Sequence, residues 1–450
     1  MASSAEQFAA NLNFGAFAKA KELKQRILFA LGALIVYRLC TYIPLPGIDQ
    51  IALKNLFQQA QGGVLGMFNV FAGGALERMS IVALNIMPYI TASIIMQLMT
   101  RMSPTLAQLK KEGESGRKKI NQYTRYGTVA LCLVQGYGVA IGLENWGGSA
   151  GLQAVIDPGY FFRVSTVITL LGGTMFLMWL GEQITSRGVG NGISLIIFAG
   201  IVAELPKALG ATLSLGRTQA SFGAIGILIL MALVVAVIIG IVFFERAQRR
   251  IRIQYPKRQV GNRMFQGDSS HLPLKINTAG VIPPIFASSI LLMPLTLANL
   301  SAGEGAEWLT IITTNLSHGS PVYITVYVAM IIFFCFFYTA VVFNPDETAD
   351  NLKKYGGFVP GIRPGKRTAE YLDFVLTRIT VVGAIYLAVI CVIPEVLISK
   401  YEVPFYFGGT SLLIVVSVTM DTVSQIQGHL VAHQYEGLIK KSKLRGGRNK

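Results

Sequence analysis

The chain has 450 residues, of which 52% are hydrophobic and only 14% charged, with a formal net charge of +16. A soluble protein carries roughly a quarter of its residues charged, so this composition excludes an ordinary soluble enzyme. Nucleic-acid binding would be one source of the cation excess, but the placement of the cations along the chain supplies another.

The N-terminal segment, residues 1–26, carries Lys19, Lys21, Lys24 and Arg26 ahead of an apolar run. That run ends in Pro44-Leu-Pro-Gly without a small-residue cleavage site, so it reads as an uncleaved first span and not as a signal peptide. Apolar stretches then predict spans over 27–43, 79–102, 122–142, 162–181 and 192–205 in a first half, residues 27–210. A second half, residues 211–430, holds spans over 222–244, 280–300, 321–343, 371–397 and 404–426, followed by a basic tail, residues 431–450. The fifth span is short for a bilayer and is expected to tilt or borrow its flanks.

The hydrophilic segments alternate between basic and nearly cation-free. No Lys or Arg occurs from Ile276 to Leu352, whereas the loops 245–277 and 344–370 on either side are rich in both. About 32 of the 39 Lys and Arg fall on one face of the ten-span arrangement. Cationic loops stay on the cytoplasmic side during insertion, which puts both termini there and explains most of the net charge as topology. Five spans per half make the second half run inverted relative to the first, an arrangement that suits an inverted repeat around a central pathway. The fold class expected is an all-α membrane protein of ten transmembrane helices.

Two places break the helical pattern at matching positions in the halves. A glycine-rich stretch, Gly62-Gly63 to Gly73-Gly74, precedes a second span that contains Pro88. Asn277-Thr-Ala-Gly280 precedes a seventh span that contains Pro283, Pro284 and Pro294. Irregular backbone at membrane depth survives only where protein or a water-filled cavity satisfies it, so these breaks point to a transport path.

Enzymatic chemistry is not indicated. There is no G-x-x-x-x-G-K-[ST] phosphate loop. His271, His318, His429 and His433 have neither metal spacing nor a serine partner, which leaves an intramembrane hydrolase without a catalytic pair. Cys40, Cys132, Cys335 and Cys391 all lie in apolar segments and read as packing residues. No cofactor or metal is expected. The broken helices would also suit an ion-coupled secondary transporter. Asp421 and Arg38 are the main ionisable residues expected within the spans, and that scarcity weighs against a charge relay.

Several long motifs resemble the SecY family of protein-conducting channels. They include Phe71-Ala-Gly-Gly-Ala-Leu, Ile86-Met-Pro-Tyr-Ile-Thr-Ala-Ser, Gly181-Glu-Gln-Ile-Thr-Ser-Arg-Gly-Val-Gly-Asn-Gly-Ile, Phe343-Asn-Pro-Asp-Glu-Thr-Ala-Asp-Asn-Leu-Lys-Lys and Val359-Pro-Gly-Ile-Arg-Pro-Gly. The resemblance runs in order from about Lys19 to the C-terminal tail.

It implies a central hourglass pore that passes unfolded polypeptide across the inner membrane and releases hydrophobic segments sideways into lipid. A waist ring would comprise Ile86, Ile90, Ile193, Ile197, Ile285 and Ile414; an apolar constriction of this kind gates by dewetting. In each of the pairs 86/90 and 193/197 the spacing of four places both residues on one helix face. A plug over 64–75 would include Gly66, Met67, Phe68, Asn69, Phe71, Gly73 and Gly74. Thr91, Gln97, Asn277 and Met293 would line a lateral gate.

Lys257, Arg258, Arg263 and Arg363 would dock the ribosome, through RNA phosphates, or the motor ATPase SecA. SecE-like and SecG-like small membrane subunits are the other partners implied. Two residues depart from the family pattern: Asn85 stands where glycine is usual, and Met293 where phenylalanine is common in bacterial members.

Overall fold

The computed structural model describes residues 21–59, 69, 72–145, 154–218, 224–255, 258–260, 263–265, 269–300, 320–401 and 409–446. Lys21–Cys40 forms α1 and Gln50–Gln59 the short α2. Met87–Met102 (α3), Pro104–Lys111 (α4), Glu114–Asn145 (α5), Tyr160–Arg187 (α6), Gly192–Thr218 (α7) and Ala224–Arg246 (α8) follow. After a short β-rich insertion come Ile282–Leu300 (α9), Pro321–Val342 (α10), Pro345–Lys354 (α11), Lys366–Tyr401 (α12) and Gly409–Gly446 (α13).

Among the described residues, 7 helices are long and apolar enough to cross a membrane, namely α5, α6, α7, α8, α10, α12 and α13. The three remaining predicted spans coincide with α1, α3 and α9.

The fifth span borrows its C-terminal flank: beyond the apolar stretch 192–205, α7 continues through Pro206 and reaches 27 residues. Membrane helices tolerate an interior proline because neighbouring groups re-satisfy the carbonyl it frees.

The second span, expected from residue 79, becomes helical only at Met87; residues 72–86 form a chain of turns. Met79 and Asn85 adopt φ of 45° and 50°, and Met79 and Asn85 donate to the carbonyls of Leu76 and Val82. Neighbouring backbone satisfies part of the rest. Pro44 bridges Ser80, Leu45 N–H donates to Met79 at 2.9 Å, and Ile81 N–H donates to Ile43 at 3.0 Å. Gly173 of α6 lies so close to the Ile81 carbonyl that a Cβ would collide with it.

The chain divides into two compact units. The first comprises Met1–Tyr89, Thr128–Pro206 and Ile414–Lys450. Here α1 packs on α6. Glu144 joins the end of α5 to the start of α6 by accepting from Arg163 at 2.7 Å and from Gly159 N–H at 3.1 Å. Gln425 of α13 accepts from Gly190 N–H at 2.9 Å, in the corner between α6 and α7.

The second unit comprises Ile90–Gly127 and Lys207–Leu413. Within it α9 packs on α10, and both α10 and α11 pack on α12. The loop predicted over 245–277 is built on strands. β1 (Gln248–Gln254) pairs antiparallel with β4 (Ser269–Lys275), and between them in sequence β2 (Arg258–Val260) pairs with β3 (Arg263–Phe265).

The alternation in β1 follows the two-residue period of a strand. Arg250 and Arg252 face solvent while Ile251 and Ile253 are buried. Ile251 packs with Leu274, Val359, Leu372 and Leu376, so the hairpin has an apolar base shared with the start of α12.

Candidate functional site

The predicted ring residues occupy four elements. Ile86 immediately precedes α3, Ile90 lies in the first turn of α3, Ile193 and Ile197 lie one turn apart in α7, Ile285 lies in α9 and Ile414 in α13. Ile86 and Ile414 are 1% exposed, Ile90 and Ile197 are also buried, and Ile193 and Ile285 are half-buried. The helix-face argument holds for 193/197, both inside α7. For 86/90 it needs correction, because Ile86 lies at the cap and not inside α3.

The cause lies one residue earlier. Asn85 is in the left-handed region at φ 50°, where an ordinary side chain costs roughly 1–2 kcal/mol and asparagine is, after glycine, among the best tolerated. The departure from the family's glycine therefore keeps the backbone conformation that a glycine would adopt.

Of the predicted plug residues, Asn69, Gly73 and Gly74 are described; Gly66, Met67, Phe68 and Phe71 lie outside the described residues. Asn69 organises this stretch. Its carbonyl accepts from Gly74 N–H at 2.8 Å, its Oδ1 accepts from Glu77 N–H at 2.9 Å, and its Nδ2 donates to Glu77 Oε2 at 3.2 Å. Gly73 and Gly74 adopt φ of 64° and 78°, a pair of left-handed residues that glycine provides without steric cost. Their surroundings include ionisable side chains. Arg38 donates to the Gly73 carbonyl, and Arg38 pairs with Glu204 at 3.9 Å. Glu204 was not among the expected intramembrane charges, yet it is a buried acid that partners Arg38.

Thr91 and Gln97 of the predicted gate lie in α3, where Gln97 Nε2 donates to Ser93 Oγ at 3.4 Å. Asn277 is buried at the foot of α9. Its Nδ2 donates to Glu245 Oε1 at 2.7 Å and to the Gly280 carbonyl at 3.2 Å, which joins the end of α8 to the start of α9. The side chain of Met293 lies outside the described residues.

Lys257 and the side chains of Arg258 and Arg263 also lie outside the described residues. Arg363 is exposed, and its carbonyl accepts from Thr368 Oγ1 at 3.0 Å. Ile362, next to it, packs against the apolar base beneath the hairpin. Arg250 and Arg252, within the loop 245–277, are further exposed cations beside it that the motifs did not single out. Their signal was the arginine–isoleucine alternation in Gln248-Arg-Arg-Ile-Arg-Ile-Gln.

Helices of membrane-spanning length, a stretch of irregular backbone satisfied by protein groups, and a buried isoleucine at the helix break occur together in this chain. A solved protein-conducting channel is similar to this chain at a TM-score of 0.61 and 17% identity, covering 90% of this chain and 92% of its own. Sec61 in the canine ribosome-channel complex from the endoplasmic reticulum is similar at the same TM-score, 0.61, with 17% identity and the same coverage, 90% and 92%.

In sequence, the protein translocase subunit SecY of Escherichia coli strain K12 is 58% identical over 426 residues, covering 94% of this chain and 96% of the relative. The SecY family model matches residues 80–423. The chain belongs to the SecY family. It is a multi-pass membrane protein and a protein-conducting channel; the ion-coupled carrier reading finds no support among these relatives.

Proposed function

We propose that the chain passes unfolded polypeptides across a bacterial inner membrane, with both termini cytoplasmic, and releases hydrophobic segments laterally into lipid. The two halves 27–210 and 211–430 form the walls of the path. The isoleucines at 86, 90, 193, 197, 285 and 414 close it at rest, and segment 64–75 seats beneath them as the plug. Thr91, Gln97, Asn277 and Met293 belong to the seam that opens sideways. Hydrogen bonds between membrane helices average about 0.6 kcal/mol, weak enough for a strongly apolar nascent segment to compete with them.

The energy comes from outside, from SecA with ATP or from the ribosome, and SecE-like and SecG-like subunits complete the complex. The observation that carries this reading is the joined body of hairpin and Arg363 loop. Gln254 and Phe358 exchange backbone hydrogen bonds, while Arg250, Arg252 and Arg363 stay exposed. Cations on a stiff support suit a partner that pushes. They also suit ribosomal RNA, whose phosphates make a salt-sensitive contact.

The test is reconstitution of the purified complex into liposomes. Preprotein should become protease-protected only when SecA and ATP are added. Uptake of small solutes driven by an ion gradient, without preprotein protection, would point to a carrier instead.

A further inference from the structure

Arg38 sits in the last turn of α1, where a cation also complements the helix dipole. Across from it, on α7, Glu204 is only 8% exposed. Ionisable groups within membrane spans are costly and call for a functional account. Here both touch one short stretch of backbone. Arg38 Nη1 donates to the Gly73 carbonyl, and a Cβ on Gly74 would run into Glu204 Oε1. A Cβ on Gly73 would lie 2.8 Å from the Gly200 Cα, so the glycine pair rests directly on α7 one turn before the acid. Arg78 borders the same space, with Nη2 3.3 Å from the place a Gly74 Cβ would take, and its guanidinium lies 4.2 Å from the Tyr42 ring centroid.

We propose that Arg38 and Glu204 are positioning residues for the resting channel. Their ion pair holds the Gly73-Gly74 end of segment 64–75 against α7 and sets how readily that segment leaves. The inference rests on reading 64–75 as the plug.

The chemistry suits a reversible catch. Arg38 grips a backbone carbonyl, which any glycine offers. When the segment departs, water takes the place of that carbonyl while Glu204 still neutralises the guanidinium. Opening therefore strands no unpaired buried charge, which would be strongly unfavourable. Without Glu204, Arg38 is uncompensated and turns toward water, and the Gly73 bond goes with it.

The complex with its small subunits would be placed in planar bilayers, and conductance measured without substrate. Glu204→Gln, close in shape, should raise the resting open probability about tenfold, equivalent to about 1.4 kcal/mol of closed-state stability. Arg38→Gln should do the same, and Glu204→Asp, which keeps the charge, should stay near wild type. In a channel lacking 64–75, already leaky, none of these substitutions should add further conductance.

A deletion that leaks while Glu204→Gln matches wild type overturns the catch and leaves the plug reading standing. A deletion that does not leak removes the plug reading and the catch together. Additional leak from Glu204→Gln in the deleted channel would assign Glu204 to the pore itself, and equal leak from Asp and Gln would assign it to packing; either outcome overturns the proposal.

Discussion

Gln254 and Phe358 donate to each other's carbonyls, at 2.9 Å and 3.0 Å, and so bond the end of β1 to the loop that presents Arg363. Two hydrophilic segments that are separate in sequence thereby become one support. Gly361 and Gly365 turn the chain through φ of 82° and 104° on either side of Arg363, while Pro360 and Pro364 restrict it further. The turn thereby fixes where the backbone presents Arg363, so less backbone freedom is lost when a partner is met.

Arg363 is therefore expected to matter to the motor more than to the pore. Arg363→Glu should abolish SecA-driven preprotein transport into vesicles and leave resting conductance unchanged. Arg363→Lys should also impair transport, because an ammonium cannot reproduce the planar two-pronged contact of a guanidinium. Wild-type rates for Arg363→Glu at equal channel abundance would take this residue out of the mechanism.

Asn85 is held at φ 50° just ahead of Ile86. Asn85→Gly should leave the melting midpoint of the purified complex close to wild type. Asn85→Val, a β-branched residue forced into the left-handed region, should lower stability by about 1–2 kcal/mol or more. Equal melting of the valine and glycine variants would show that this backbone conformation is not needed.

The isoleucine ring is expected to be the ion seal. Ile86→Asn combined with Ile285→Asn supplies polar groups that water can bond to, so the constriction should hydrate and conduct at rest. Planar-bilayer recordings indistinguishable from wild type would mean that these positions do not line the closed path.

Opening is expected to require movement at the seam of α3 and α9. With Cys40, Cys132, Cys335 and Cys391 replaced, a variant with Thr91→Cys in α3 and Ser289→Cys at a buried position of α9 should lose preprotein transport under oxidation and regain it on reduction. Normal transport through a fully crosslinked population would show that the seam need not part.

The membrane class, the ten apolar elements and the expected orientation are legible in the order of residues, because lipid leaves the chain little choice. Each span must satisfy its own backbone, and each cation is sorted during insertion, so both show as local patterns. The break before α3 was legible too, from glycines and Pro88.

Other features emerge once the chain is folded. The fifth span was expected to end at Leu205, which placed Glu204 at its edge and left Arg38 apparently alone; α7 runs on to Thr218, and the acid stands beside Arg38. Asn85 looked like a departure until its left-handed conformation showed what the position requires. Arg250 and Arg252 were part of a loop until Ile251 and Ile253 turned inward and made that loop a hairpin. For Arg38 and Glu204 the deciding partner is distant in the chain, and for Asn85 the deciding quantity is a torsion angle; neither has a local signature in the order of residues. The arginine–isoleucine alternation of β1 did carry one, but the residues that cover Ile251, on α12 and around Val359, are distant.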